Sequence, residues 1–303
     1  MGNRLNKKKP GTKTSKFGTT SRINHDSSSF YNTSLYSDLK PNNITNSEEN
    51  TIPSEYLDKL ICRSSEDMVQ IPDNSVHLMI TSPPYNVSKV YDGNLSLKEY
   101  LDLLRKVFKE TYRVLTDGGR ACINIANVGR KPYIPLSDNI SKIMIDLGFN
   151  MRGEIIWNKG AGSGTSMAWG SWQSASNPVL RDVHEYILIF SKGSFKRIKK
   201  DKKNTIEKNQ FMEWTKSVWN FNPESAKKVE HPAPFPEELP FRLIQLYSFE
   251  KDIILDPFIG SGTTALVALK SNRHYIGYDI NEDYIKNAKK RLSPIKSQKK
   301  LML

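Results

Sequence analysis

The sequence predicts an α/β domain, a mostly parallel sheet with helices on both faces. Three observations predict it. Short apolar runs alternate with segments whose apolar residues recur at helical spacing. Two of those runs end abruptly in rigid or glycine-rich turns, Ser82-Pro83-Pro84-Tyr85 and Pro257-Phe258-Ile259-Gly260-Ser261-Gly262. At 37% hydrophobic over 303 residues the chain can bury a real core, and its mean hydropathy of -0.55 fits a protein in water.

The elements follow in order. Ser75–Thr81 is a short apolar run that Pro83 and Pro84 stop, as a buried strand requires. Tyr100, Leu101, Leu104, Val107, Phe108, Tyr112 and Leu115 keep helical spacing until Asp117-Gly118-Gly119. Ala121–Ala126 reads as a strand, Ile140–Leu147 as a helix closed by Gly148, and Gly153–Trp157 and Glu185–Phe190 as further strands. Glu237–Tyr247 reads as a helix with Pro236 near its first turn. Ile253–Asp256 is a strand, Thr263–Leu269 a helix, Tyr275–Tyr278 a strand and Glu282–Leu292 a final basic helix.

Charge divides the chain. The net charge of +13 is concentrated in three segments, residues 1–50, 191–210 and 286–300, on an otherwise slightly acidic body. Basic patches of this kind draw a protein to a polyanion through counterion release. Residues 1–50 are rich in Ser, Thr, Asn and Lys and read as a disordered or loosely attached arm. No run approaches the roughly 18 apolar residues of a membrane span, and no apolar segment follows the basic N-terminus. Cys62 and Cys122, both beside aliphatic residues, read as buried reduced thiols of a cytoplasmic protein rather than a disulfide or a zinc site. His184 and His231 lack metal-ligand spacing, so no metal is expected.

Two motifs carry chemistry. In the first, the strand ending at Asp256 runs into Gly260-Ser261-Gly262-Thr263-Thr264, a tight turn that opens a helix and presents backbone N–H groups. One strand later Asp279 stands where a carboxylate accepts both hydroxyls of a ribose. Gly260-x-Gly262-x-x-Ala265 with an acid 19 residues on also fits a dinucleotide fingerprint. Position separates the readings: only 24 residues follow Asp279, too few for the strands that come after a dinucleotide fingerprint. The nucleoside-binding half is therefore C-terminal, and an NAD oxidoreductase is disfavoured. In the second motif, Thr81-Ser82-Pro83-Pro84-Tyr85-Asn86, two prolines freeze the backbone. A hydroxyl, a fixed carbonyl and an aromatic face are gathered at one strand end. That set suits a flipped planar base with an exocyclic amine, two acceptors for its N–H bonds and Tyr85 for its ring.

The pair Thr-Ser-Pro-Pro-Tyr upstream and Asp-Pro-Phe-x-Gly-Ser-Gly-Thr-Thr downstream resembles the β-group of amino-DNA methyltransferases, in which the catalytic half precedes the S-adenosylmethionine half. The likeness covers roughly residues 57–293 and includes Val114-Leu115 with Gly118-Gly119, Trp157-Asn158-Lys159, and Glu185–Lys192. It implies a seven-stranded methyltransferase sheet in double-stranded DNA modification, with S-adenosylmethionine as cofactor. It implies a catalytic half over 51–192, a target-recognition segment over 193–230, a cofactor half over 231–293 and a basic tail over 294–303.

In that group Ser82 and the Pro83 carbonyl would accept the target amine's hydrogens, with Pro84 fixing the turn and Tyr85 stacking on the base. Asp256, Pro257, Phe258, Gly260, Ser261, Gly262, Thr263, Thr264 and Asp279 would hold the cofactor. His231-Pro232 opens a segment that looks like the one closing over its methionine part. Lys196, Arg197, Lys199, Lys200, Lys202 and Lys203 would hold phosphates. The Gly160–Ser176 loop, with Trp169 and Trp172, either lines the base pocket or packs. Relatives often carry Gly-Asp-Ser where this chain has Arg63-Ser64-Ser65, so the acid near the cofactor's adenine falls to Glu66 or Asp67 or is missing. No Pro-Cys nucleophile of a cytosine-C5 enzyme is present. Ser82 in the first catalytic position points to cytosine-N4 over adenine-N6. A cognate restriction endonuclease is a possible partner, and monomer and homodimer both stay open, as does a non-catalytic nucleic-acid-binding protein on the same fold.

Overall fold

The computed structural model describes residues 31–37, 48–85, 95–160, 169–199, 201–223 and 236–301. The chain divides into residues 1–41 and residues 42–303. Of the first unit, a one-turn helix over Ser34–Ser37 is described; the second holds the whole sheet. The arm expected over 1–50 thus falls mostly outside the described residues, as do His231, Pro232 and Lys200.

Strands β1 (Lys59–Cys62), β2 (Val76–Thr81), β3 (Leu115–Ile125), β4 (Phe149–Asn158), β5 (His184–Lys192), β6 (Val218–Asn220), β7 (Ile253–Asp256) and β8 (His274–Asp279) form one sheet in the order β1-β8-β7-β2-β3-β5-β4-β6. Every pairing is parallel except those of β5, which runs against β3 and β4. The sheet has eight described strands rather than seven. β6 adds to the outer edge of β4 through Trp157↔Trp219. β1 and β6 are four and three residues long, too short to leave a periodic signal in sequence.

Helices α1 (Leu97–Val114) and α2 (Leu136–Asp146) lie on one face, and α3 (Lys208–Trp214), α4 (Glu238–Tyr247), α5 (Thr263–Lys270) and α6 (Glu282–Leu301) on the other. β2 shows why both faces must be covered. All six of its residues are buried; Val76 and Met79 join the α1 side, Leu78 and Ile80 the α4–α5 side. Helix α1 starts where Ser96 caps it: Ser96 accepts from the Glu99 backbone N–H, and Glu99 accepts from the Ser96 N–H at 2.8 Å. Helix α6 does not stop at Leu292 but continues through Pro294. Proline cannot bond the Lys290 carbonyl, and the Ser293 hydroxyl takes that carbonyl instead at 2.9 Å.

Trp214 and Trp219, interleaved with basic residues, are core residues, at 7% and 1% exposed. Trp157 stacks on Phe221 with ring centroids 5.2 Å apart, and the Arg242 guanidinium sits within 5.5 Å of Trp214, Trp219 and Phe221. Both cysteines are free, but Cys62 is exposed; only Cys122 is buried. The basic stretch after β5 lies at the N-terminal ends of β2 and β7, because β5 runs antiparallel and delivers the chain there. Arg197 makes a two-pronged ion pair with buried Asp252, at 2.5 and 3.2 Å, and Lys202 pairs with Glu49 and Asp252. His77 completes this cluster. Its Nδ1 accepts from the Ile253 N–H, its Nε2 lies 2.5 Å from Glu49, and burial lowers its pKa.

Candidate active site

Ligands in an open α/β sheet bind beyond the carboxyl ends of the strands. Here those are the ends of β2, β7, β8 and β1, together with the start of β5. β2 and β7 are direct neighbours, so Ser82 and Asp256 emerge side by side.

Asp256 ties the two together. One carboxylate oxygen accepts from the Thr81 hydroxyl at 2.8 Å and from the Phe258 N–H at 3.1 Å; the other accepts from the Thr264 hydroxyl at 2.7 Å. The last residue of β2 and the first turn of α5 thus meet on one buried carboxyl. Burial pushes its pKa up to about 6, against the pull of its hydrogen bonds. Asp256 therefore organises the crevice from beneath.

The glycine turn needs its glycines. Gly260 has φ 48° and Gly262 φ 81°, and a Cβ on Gly262 would stand 2.8 Å from Ala288 Cβ in α6. Gly277 lets β8 pass beneath Ile259 in the same way. The Gly260 N–H donates to Asp279 at 3.0 Å and the Asn281 N–H to its other oxygen at 2.9 Å. The acid is thus aimed and half-exposed at the strand end, its pKa raised by burial. Ser261 and Thr263 turn their hydroxyls elsewhere: the Arg291 guanidinium donates to both, and to the Ser261 carbonyl at 2.9 Å. In this structure their side chains brace the turn against α6. The backbone of the turn, the Asp279 carboxylate and the adjacent exposed Ile280 fit a nucleoside whose ribose offers two hydroxyls and whose base is apolar on its faces. The substituted Arg63-Ser64-Ser65 stretch lies beside them. The Arg63 N–H donates to the Asp279 carbonyl at 2.9 Å and the buried Ser65 hydroxyl to the Pro257 carbonyl at 2.8 Å, while Glu66 pairs with Lys106.

The Ser82–Tyr85 turn is equally constrained. Pro83 is buried, and Ser82, Pro84 and Tyr85 are partly so. Ser82 Oγ lies 3.1 Å from Tyr85 Oη, which donates to Glu185 Oε2 at 3.0 Å. Asn124 Nδ2 donates to Glu185 Oε2 at 2.6 Å and to Tyr85 Oη at 3.2 Å, and Lys159 Nζ to Glu185 Oε1 at 2.9 Å. Burial, then the Glu185 charge, pushes the Tyr85 phenol pKa well above its usual value. Asn124 and Glu185 escaped the sequence reading because each is one polar residue at the end of an apolar strand. The available signal was the antiparallel sense of β5, which brings its first residues to the site.

Around this crevice the β4–β5 connection and the segment after β3 form an exposed basic and aromatic rim. Trp169 and Trp172 meet edge to face at 5.0 Å, the Arg181 guanidinium lies 3.7 Å over Trp169, and Trp172 and Leu180 are 64% and 82% exposed. Arg130 holds the two segments together through Asp182 at 2.9 Å and the Leu180 carbonyl.

The DNA methylase family model for N6 and N4 enzymes matches residues 76–290. The type II methyltransferase M.MjaI of Methanocaldococcus jannaschii is 33% identical over 265 residues, covering 74% of this chain and 87% of that protein. The DNA adenine methyltransferase YhdJ of Escherichia coli K12 is 32% identical over 240 residues, covering 75% and 79%. Among solved structures, a DNA modification methylase of Thermus thermophilus, TTHA0409, complexed with S-adenosyl-L-methionine, matches with a TM-score of 0.64 and 29% identity, over 78% of this chain and 93% of that one. This chain therefore belongs to the N6/N4 DNA methylase family, as a β-class amino-DNA methyltransferase of restriction-modification type with S-adenosylmethionine as its cofactor.

Proposed function

We propose that this chain methylates the exocyclic N4 amine of cytosine at a specific site in double-stranded DNA, with the target base flipped into the crevice. The observation that carries the reading is Ser82, an uncharged acceptor at the first catalytic position, beside the Asp256–Thr81 link that abuts the two halves. Bound at the glycine turn and Asp279, S-adenosylmethionine supplies an electrophilic methyl group. The protein's own work is positioning and electrostatics. Ser82 and the Pro83 carbonyl accept the amine's two hydrogens and turn its lone pair toward the methyl. Pro84 keeps that turn rigid, and the Tyr85 ring offers a stacking face.

The exposed Lys131, Arg181 and Trp172, with the half-buried Trp169, support docking of the duplex on the same edge as Ser82. Arg197 and Lys202, spent on ion pairs at the far edge, do not fit that role. The family's usual setting makes a cognate restriction endonuclease the expected partner. Among the described residues no helix is long and apolar enough to cross a membrane.

Adenine-N6 is the second reading, favoured by the 32% identity to a relative described as a DNA adenine methyltransferase. Digesting methylated DNA to nucleosides and separating them by mass distinguishes the two. N4-methylcytosine is expected; N6-methyladenine alone would reverse the choice of base while leaving the family standing.

A further inference from the structure

The hydrogen bonds behind Ser82 have a direction. An ionised carboxylate only accepts, an amide nitrogen and an ammonium only donate, and a hydroxyl does both. Glu185, 13% exposed at its side chain, makes an ion pair with Lys159, itself 19% exposed, at 2.9 Å. Its Oε2 receives Asn124 Nδ2 at 2.6 Å and Tyr85 Oη at 3.0 Å. The single phenolic proton of Tyr85 is therefore committed to Glu185, and the lone pairs of Tyr85 Oη are left as acceptors. Asn124 Nδ2 fills one of them at 3.2 Å, and reversing that amide would set its oxygen against the carboxylate. Ser82 Oγ, 3.1 Å away, fills the other by donating its proton. Asn124 Nδ2 also donates to Ser82 Oγ, at 3.5 Å, which leaves one Ser82 lone pair to face the target amine.

Resting on the amino-methyltransferase reading, we propose that Ser82, Tyr85 and Glu185 form a one-way hydroxyl relay that takes the proton released by the target amine and delivers it to Glu185. As the amine's lone pair forms the N–CH3 bond, the S–CH3 bond breaks and leaves its electron pair on sulfur. One N–H proton then passes to Ser82 Oγ, the Ser82 proton to Tyr85 Oη, and the Tyr85 proton to the Glu185 carboxylate, which ends neutral and returns the proton to water after product release. The uncharged hydroxyl next to the amine thus needs no base of its own; the charge sits two hydrogen bonds away. Glu185 touches neither base nor cofactor and is a positioning residue, as are Asn124 and Lys159, which hold its carboxylate. The relay also anchors the Tyr85 hydroxyl and so fixes the plane of the ring that faces the base.

The test is a double-mutant cycle on the full chain in single turnover, with Glu185→Gln, Tyr85→Phe and the pair. Cofactor affinity by calorimetry, duplex affinity, and flipping read by 2-aminopurine fluorescence at the target position are measured alongside. Each single change is expected to slow methyl transfer about 100-fold, the range of a lost proton-transfer partner. The double variant is expected to be no slower than either single, with both affinities and the fluorescence within about threefold of the native chain. Rates of Glu185→Gln and Tyr85→Phe within about threefold of native would overturn the relay, and so would losses that multiply in the pair. Should Glu185→Gln fold poorly by thermal melting, Tyr85→Phe decides alone, since it keeps the ring and removes only the hydroxyl. A native chain that transfers no methyl to DNA defeats the underlying function and the relay with it. A native chain that methylates while the variants match it defeats the relay only.

Discussion

The Thr81 hydroxyl donates a 2.8 Å hydrogen bond to the Asp256 carboxylate across the β2–β7 boundary. Thr81 is the residue before Ser82, and Asp256 is the residue before the turn that leads to Gly260. The two loops, whose anchoring residues lie 175 apart in sequence, are thus held by adjoining strand ends whose side chains share one buried bond. The same carboxyl holds Thr264 at 2.7 Å, so the first turn of α5 is set by it as well.

This arrangement has a pH signature. Burial raises the Asp256 pKa from 3.8 to about 6. The folded protein therefore binds this proton more tightly than the unfolded chain does. The contribution is fully present below about pH 4 and is lost as pH rises through about 6. The difference amounts to at most about 3 kcal/mol. Urea denaturation of the native chain and Asp256→Asn at pH 4.5 and 7.5 checks it: the stability gap is expected to shift toward the variant at the higher pH. A gap independent of pH would contradict it.

Asp279→Ala is expected to weaken S-adenosylmethionine binding by tenfold or more while duplex affinity stays within about threefold, the loss of charged-group hydrogen bonds. The carboxylate that Gly260 and Asn281 aim at the strand end is missing in that variant. Calorimetry with unchanged cofactor affinity in a folded variant removes Asp279 from the site.

The duplex should read the rim around Ser82 and ignore the far edge. Removing Lys131 and Arg181 to Ala is expected to reduce the log–log salt slope of DNA binding by about one unit per lost phosphate contact. The same change at Lys196 and Lys203 is expected to leave the slope unaltered, Lys203 being paired with Glu250 at the opposite end of the sheet. Salt titrations of duplex affinity for both pairs compare the two surfaces directly, and the reverse pattern contradicts the docking edge.

Much of this was legible in the sequence because it was carried by local chemistry. Two prolines after an apolar run, and glycines before a helix, announce themselves without a partner. The order of Thr81-Ser82-Pro83-Pro84-Tyr85 and Asp256–Gly262 points to the C-terminal half as the one that holds the cofactor. Asn124 and Glu185 were not legible, since their role exists only once β3, β5 and the Tyr85 turn meet. Within the basic run 196–203, the pairing of Arg197 and Lys202 was not legible for the same reason. Charge density marks a polyanion surface only if the residues are free, and Arg197 and Lys202 are committed to Asp252 and Glu49 by an antiparallel strand that composition cannot reveal.

The most direct test is single-turnover transfer of labelled methyl from S-adenosylmethionine to DNA carrying the recognition site, by the native chain and by Ser82→Ala. The native chain is expected to label an exocyclic amine, and Ser82→Ala to do so about 100-fold or more slowly with cofactor affinity unchanged, as loss of an acceptor felt in the transition state requires. Equal rates in the two, or label found on carbon-5 of cytosine, would contradict an amine-directed site built around Ser82.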